Sequence, residues 1–534
     1  MEGFDCDVAV VGVGPVGAVL ANLLGHAGVS VVALDSATTV VGHPRAVGID
    51  DEAIRTLQSF GLAEVVLDNC LRNVPIRYHD SAGRVLAHVA PSGRPYGWPR
   101  RNLFYQPFLE ERLRANLARH SNVDLRLGHQ VTSLDQDGSG VRIGVRAAGG
   151  QTTLRARYVV GADGGRSFVR EAVGIPMLGD TAPVRWLVVD VEKDTWDAPY
   201  SAVYTSPRRP SMTIPLPFGH RRFEFQVRED DDPDTVSGLD NVVALLRRFY
   251  PDGPVPPVVR NDVYWHHSRT AAAFRSGRVF LVGDAAHLQP PFFGQGMNSG
   301  IRDVTNLAWK LALVTDGRAA PEVLDSYDAE RRPNAEVMVT FATRMGRMYK
   351  ARSPLTERVR NAAFRGAQRV PGARDYILQM KYKPIPRYTD GLVLGALGAA
   401  RGCLVGRAFP QPMVRDAAGE WARLDDVLGT RICVLGLVPG FAASVSEPTV
   451  RRLHAHGGVL VAAVPAEVYQ RGTDRAGGHE VTTVVDVDGG LRDLLLARPH
   501  DEVYVVRPDR YVGAVCRAEE LDGVLDRFLA RLRP

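Results

Sequence analysis

Apolar positions along the chain keep two rhythms, and the places where one gives way to the other mark the elements. The run Val8-Ala9-Val10-Val11 is a short buried strand, a helical pattern extends from Pro15 to about Leu24, and Val29-Ser30-Val31-Val32-Ala33-Leu34 is a second strand closed by Asp35. That order is β-α-β. Tyr158-Val159-Val160 is a further apolar strand running into Gly161-Ala162-Asp163-Gly164, and Arg278-Val279-Phe280-Leu281-Val282 is another, ending in Gly283-Asp284. A helix begins near Gly296, because Ile301, Val304, Leu307, Ala308 and Leu311 recur at the helical period. Between about 180 and 270 the runs Trp186-Leu187-Val188-Val189-Asp190-Val191 and Arg222-Phe223-Glu224-Phe225-Gln226-Val227 are alternating or β-branched, which predicts a mainly β insertion. Helices dominate from about 300 to 350, and a Pro/Arg/Gly-rich passage at about 352–400 reads as a linker or an irregular connection. From about 400 a separate α/β pattern follows, with strands at 431–437, 458–464 and 503–506 and a closing helix carrying Leu521, Val524, Leu525, Phe528 and Leu529 on one face.

The fold class expected is therefore α/β: a Rossmann-like nucleotide-binding domain, an inserted mainly β domain forming the ceiling of a substrate cavity, and a small C-terminal domain. The expected divisions are 1–178, 179–272, 273–395 and 396–534. With 534 residues, 45% of them hydrophobic and 23% charged, the chain has ample core for several domains and none of the composition of disorder. The net charge of +5 comes from arginines dispersed among acids, so no nucleic-acid partner is expected. No apolar stretch approaches the roughly 18 residues of a membrane span. Asp5 and Asp7 stand where an export signal would carry basic residues, and a cytoplasmic location is expected. Five cysteines without Cys-x-x-Cys or metal-like spacing read as free thiols, with no metal site.

Candidate chemistry gathers at the strand ends. Gly12-Val13-Gly14-Pro15-Val16-Gly17 is a dinucleotide fingerprint in its strand–turn–helix setting, where Gly12 permits the tight turn, Gly14 close approach to a pyrophosphate, and Gly17 close helix–strand packing. Asp35, about 20 residues on, falls where a carboxylate meets a ribose hydroxyl. By itself the fingerprint leaves FAD and NAD open. Asp163 forms a second wall, and Asp284 is suited to a polyol chain. The helix start at Gly296-Met297-Asn298 favours negative charge. His266 or His267 is a candidate for contact with substrate, and Trp186, Phe225, Phe292 and Phe293 are candidates for an aromatic pocket.

In this order and spacing the fingerprint, the Asp163-Gly164 motif and the Gly283-Asp284 segment resemble the single-component FAD-dependent aromatic hydroxylases, the p-hydroxybenzoate hydroxylase group. Pro44-Arg45-Ala46-Val47-Gly48-Ile49-Asp50-Asp51-Glu52-Ala53 and Gly294-Gln295-Gly296-Met297-Asn298-Ser299-Gly300-Ile301-Arg302-Asp303 resemble the 3-(3-hydroxyphenyl)propionate hydroxylases and polyketide-tailoring hydroxylases within it. The resemblance implies FAD as cofactor, NAD(P)H as transient reductant and O2 as co-substrate, with a C4a-hydroperoxyflavin hydroxylating a phenolic phenylpropanoid acid or polyketide. It implies that Asp35 holds the adenosine ribose, Arg45 and Gln106 the flavin side, Asp163 the region near the pyrophosphate, and Asp284 the ribityl chain. Backbone N–H groups of Gly296, Met297 and Asn298 would meet the isoalloxazine, and Pro291 would line the space beside the reactive flavin carbon.

The C-terminal domain resembles the thioredoxin-like appendage of phenol-hydroxylase relatives, matched best at Val505-Val506-Arg507-Pro508-Asp509-Arg510-Tyr511-Val512, without its Cys-x-x-Cys. A homodimer is the oligomer left open. Rival readings are a flavin reductase or dehydrogenase that does not use oxygen, a related monooxygenase performing epoxidation or Baeyer–Villiger insertion, and a non-catalytic flavoprotein scaffold. A flavin halogenase would need a Trp-x-Trp-x-Ile-Pro segment that the chain lacks.

Overall fold

The computed structural model describes residues 3–291, 294–349, 354–395, 403–437, 439–466, 475–476, 478–487, 489–491 and 502–533. Its first unit is the strand Cys6–Val11, the helix Pro15–His26 and the strand Val31–Asp35. Two more strands join in parallel, Gly150–Gly161 beside the first and Val279–Leu281 beside that. Val123–Leu127 closes the other edge, also parallel. The pairings Leu34 to Val11, Val11 to Gly161 and Gly161 to Leu281 put four strand ends in one row. The residues that follow each end therefore emerge along a single edge, which is where open parallel sheets bind ligands.

The helix Gly296–Thr315 packs against Pro15–His26 at a distance only glycine allows. A Cβ on Gly300 would lie 2.6 Å from Val16 Cγ2 and 2.9 Å from the Gly283 Cα. Its residues Ile301, Val304, Leu307 and Leu311 are buried in the same core as the parallel strands.

A second sheet runs in the order His287–Leu288, Val258–Ala271, Met177–Val191, His220–Gln226, Ser211–Leu216, Ser201–Tyr204, Ile76–His79, Val85–Val89. Three of these strands lie outside the expected insertion of 179–272: His287–Leu288 pairs antiparallel with Val258–Ala271, and Ile76–His79 adds in parallel to Ser201–Tyr204 and carries Val85–Val89 as a hairpin partner. Only tertiary pairing recruits them. One face of the sheet buries Leu187, Val189, Phe223 and Phe225 against Val242, Leu246 and Phe249, from the helix Leu239–Leu246 and the turn after it. The other face turns toward the nucleotide-binding sheet.

The 352–400 passage differs from the linker expected, since its described residues contain the helices Pro354–Arg369 and Pro371–Leu378. Phe364, Ile377 and Met380 pack beside Ile76, Tyr78 and Trp186, so sparse apolar contacts hold an Arg-rich segment helical. In the C-terminal region Cys433–Gly436 and Val459–Pro465 are parallel around the helix Glu447–Ala455, and the hairpin Glu502–Val506/Val512–Arg517 pairs antiparallel to the first of them. The helix Leu521–Ala530 completes it, and this core is continuous with Trp309, Leu313 and Val323 of the nucleotide-binding part.

Candidate functional site

Two of the fingerprint glycines, Gly12 and Gly17, leave no room for a larger residue. Gly12 has φ +94°, and a Cβ there would sit 2.5 Å from the Ala162 carbonyl oxygen. A Cβ on Gly17 would sit 1.9 Å from the Gly12 oxygen, whereas one on Gly14 would meet nothing within 4 Å. Gly14 thus borders open space at a helix N-terminus that no side chain caps, a setting that favours an anion. Asp35 accepts the Val13 and Ala37 amides at 2.8 Å each, and Arg114, which the sequence reading missed, bridges it to the Val13 carbonyl.

One cavity of about 760 Å³ runs along this edge, within the roughly 300–1,000 Å³ typical of ligand sites. Gly12, Gly14, Asp35, Asp163 and Asp284 line it, and so do Arg45, Gln106, Pro291, Gly296, Met297 and Asn298. Asp163 accepts the Val169 amide at 3.0 Å through Oδ2, while its Oδ1 is buried with no hydrogen-bond partner among the described residues. Asp284 opens onto the cavity and is surrounded by protein elsewhere; that enclosure raises its pKa, with His287 and Arg45 acting against the shift.

Neighbouring side chains hold these groups in place, among them Gln106 and Asn298, already candidates from the sequence, and Asp303, which was not. Gln106 Oε1 accepts the Arg45 and Ala46 amides at 2.8 and 2.6 Å, which fixes the loop carrying Arg45. Asn298 Oδ1 accepts the Asp50 amide, and its Nδ2 donates to the Gly48 and Gly294 carbonyls. Asp303, wholly buried, accepts the Gly283 amide at 3.0 Å, His287 Nε2 at 2.7 Å and Arg331 Nε at 2.9 Å, locking the turn that presents Asp284.

The second sheet contributes the opposite wall. Pairings of Glu224 with Met212, Met212 with Val203 and Val203 with Tyr78 form a transverse row, and all four residues line the cavity. Glu224 is buried; Tyr264 donates its hydroxyl to Glu224 Oε2 at 3.2 Å, and Oε1 has no partner among the described residues. Burial raises the Glu224 pKa against the pull of Arg222 and the Tyr264 hydrogen bond. Arg222 itself is held by Asp190 at 2.8 Å through both oxygens and donates to the Pro44 and Arg45 carbonyls, tying sheet to loop.

Four sequence candidates lie elsewhere, and two lie outside the described residues. Phe225 is in the core on the far face of the sheet, because alternation sends Phe223 and Phe225 one way and Arg222 and Glu224 the other. Trp186 is buried one layer behind the cavity, and His266 stacks on it with ring centroids 5.5 Å apart. Gly17 acts through packing under the turn. Phe292 and Phe293 fall outside the described residues.

Comparison with known proteins agrees with this geometry. Residues 5–342 match the family described as FAD binding domain, and residues 406–531 match the HcaD C-terminal domain. The chain is 43% identical over 528 residues, 98% of its length and 96% of the relative's, to a protein of Burkholderia vietnamiensis named 3-(3-hydroxy-phenyl)propionate/3-hydroxycinnamic acid hydroxylase 2. It is 41% identical to a Mycobacterium protein named as the same kind of hydroxylase, covering 96% of this chain and 90% of that one. Among solved structures it is similar to aklavinone-11 hydroxylase in complex with FAD and aklavinone, with TM-score 0.78, 25% identity and 99% and 100% of the two chains covered. The OxyS anhydrotetracycline hydroxylase of Streptomyces rimosus gives TM-score 0.76 and 26% identity, with 99% of each chain covered.

Proposed function

The chain belongs to the FAD binding domain family and is a flavin-dependent aromatic monooxygenase using FAD, NAD(P)H and O2, and from that premise we propose that its substrate is a small phenolic acid of the hydroxyphenylpropionate type. The observation carrying the proposal is the transverse row of the second sheet: the apolar side chains Met212 and Val203 end in one buried carboxyl, Glu224, with an oxygen open for a ring hydroxyl. Relatives at 39–43% identity that are named for such acids support it.

Bound FAD, once reduced by NAD(P)H, supplies oxygen drawn from O2 in a form that an electron-rich ring can attack. The chain's part is to hold, orient and exclude water. In this reading Gly14 and the N-terminus of Pro15–His26 would carry the pyrophosphate, Asp35 the adenosine ribose, and Asp163 the region near the pyrophosphate. Asp284 meets the ribityl hydroxyls, and the Gly296-Met297-Asn298 amides with Arg45 and Gln106 border the isoalloxazine. Pro291 would line the space beside the reacting carbon. The open Gly14 face, the unpartnered Asp163 oxygen and the accessible Asp284 carboxyl are the local features that fit such a group. Glu224 accepts the phenol proton, which makes the ring a better nucleophile. His266, behind Tyr264 and Trp186, supports that wall from outside the cavity.

We keep the divisions 1–178, 179–272, 273–395 and 396–534 as functional units, with the strands between 76 and 89 working in the substrate wall. A thioredoxin-like C-terminal unit is supported by its β-α-β, hairpin and final helix. Among the described residues no helix is long and apolar enough to cross a membrane. The purified holoenzyme, given NAD(P)H and 3-(3-hydroxyphenyl)propionate, is expected to take up oxygen and yield a product heavier by one oxygen atom. Turnover of multi-ring phenols in preference to one-ring acids would overturn the substrate class, and sedimentation of the same preparation tests the homodimer.

A further inference from the structure

Arg101 opens the strand Arg101–Leu103 and lines the same cavity as Glu224. Its guanidinium donates to the Val74 carbonyl and, at 3.0 Å, to Ser201 Oγ. A guanidinium carries five N–H donors, so most of its capacity is left over. No carboxylate among the described residues pairs with it; the groups that act on its charge are the phenols Tyr78 and Tyr382. Two other cations on the cavity wall are paired, Arg222 with Asp190 and Lys383 with Asp50 at 3.3 Å, whereas the adjacent Arg100 also lines the cavity with no ion pair among the described residues. Protein encloses Arg101 on every side but the cavity, and that burial lowers its pKa to about 10. A cation held at such cost beside open space is stabilised by an anion entering that space.

Its position relative to Glu224 gives the anion a shape. Ser201, the hydroxyl that orients Arg101, pairs with Ile76, and the next residue, Ala202, pairs with Thr213. Glu224 pairs with Met212 one strand further on. Ser201 and Glu224 are thus two strands apart, about 10 Å across the sheet, and two residues, about 7 Å, apart along it. Apolar Ile214, Val203 and Met212 lie between them on the cavity surface. A ring hydroxyl at one end, an apolar body and a carboxylate at the other is what that spacing accepts.

We infer that Arg101 is the specificity-determining residue that binds the substrate carboxylate, opposite Glu224 at the phenol end. This rests on the phenolic-acid reading above and goes beyond it by assigning the acid group a partner. A bidentate guanidinium–carboxylate pair also fixes the ring's orientation, so the position that receives oxygen follows from the length of the acid's side arm.

The test compares the wild-type holoenzyme with Arg101→Gln and Arg101→Lys, measuring dissociation constants of 3-(3-hydroxyphenyl)propionate and of its uncharged amide from the perturbation of the flavin's visible spectrum. Wild type is expected to prefer the acid, Arg101→Gln to lose about 10- to 100-fold of the acid-over-amide ratio, and Arg101→Lys to recover part of it. A ratio unchanged in Arg101→Gln, or a larger effect on the KM of NAD(P)H than on the ratio, overturns the assignment. Should Arg101→Gln fail to hold FAD, Ser201→Ala decides: a reduced ratio supports the assignment and an unchanged one overturns it. If wild type takes up the acid and oxygenates it while the ratio stays fixed in the variants, only Arg101 is wrong. If wild type neither binds nor oxygenates the acid, the substrate class falls and Arg101 with it.

Discussion

At Glu224 a carboxyl is asked to be buried and reactive at once. Burial raises its pKa, Arg222 and the Tyr264 hydroxyl restrain the rise, and the ionised form alone can take a proton from phenol. Activity that depends on it is present above that raised pKa and lost as pH falls through it. Glu224→Gln is expected to lower kcat about 100-fold and to erase the acid limb of the kcat–pH profile. A variant that keeps the limb would show that another group sets it. Asp284 has the same raised direction because protein surrounds it except where it opens onto the cavity, and it makes no hydrogen bond with the described residues, which suits binding hydroxyls over moving protons.

Among elements, the helix Gly296–Thr315 does the most positioning. Its N-terminus borders the cavity, Gly300 lets it press on Val16 and Gly283, and Asp303 collects Gly283, His287 and Arg331 into one buried cluster. Burial alone would raise the Asp303 pKa, yet His287 and Arg331 hold it below the ordinary carboxylate value. Asp303→Asn keeps the volume and removes the charge, leaving Arg331 buried without a counterion. The expected cost is about 3–5 kcal/mol, seen as a lowered thermal midpoint together with loss of FAD on gel filtration. A variant as stable and as yellow as wild type would show that Asp303 neither stabilises the turn nor orders it. The second sheet divides its labour by face: Phe223 and Phe225 make a core with the helix behind them, and Arg222 and Glu224 serve the cavity.

The whole molecule is tied together by a charge cluster where the C-terminal region meets the nucleotide-binding part. Arg507 donates to both oxygens of Glu330 at 2.7 Å and pairs with Asp509, Lys310 donates to Glu330 at 2.8 Å, and all four residues are buried. Burial opposes ionisation of Glu330, but Arg507 and Lys310 prevail and push its pKa down to about 2; burial takes Lys310 down to about 8. Because the folded value of Glu330 lies below the unfolded one, its contribution is complete above roughly pH 4.5 and is lost as pH falls toward 2. Arg507→Met is expected to cost about 3–5 kcal/mol and to expose the segment before the C-terminal region to limited proteolysis. Unchanged cleavage would mean that apolar contact, Trp309 and Leu313 against the C-terminal core, holds the two parts without it.

Much of the cofactor side was legible in the sequence, since its requirements are local. A positive φ at Gly12, a side-chain-free Gly17 and carboxylates at or just past strand ends are written in neighbouring positions, and parallel register then brings the ends of four separate strands to one edge. The substrate side was not legible, because period-two alternation says which residues share a face and is unchanged when the faces are exchanged. Phe225 was the natural pocket candidate on that pattern, and only the helix packed on its face showed that Glu224 looks the other way. Arg101 and Ser201 are 100 positions apart and meet through the pairing of strands that no local pattern joins. The sequence by itself determined the fold class and the turns that hold a dinucleotide, through short-range steric and hydrogen-bonding demands, while the choice of FAD came from the resemblance to known hydroxylases. Tertiary structure decided which charges face the ring, through long-range strand pairing and the choice of which face to bury.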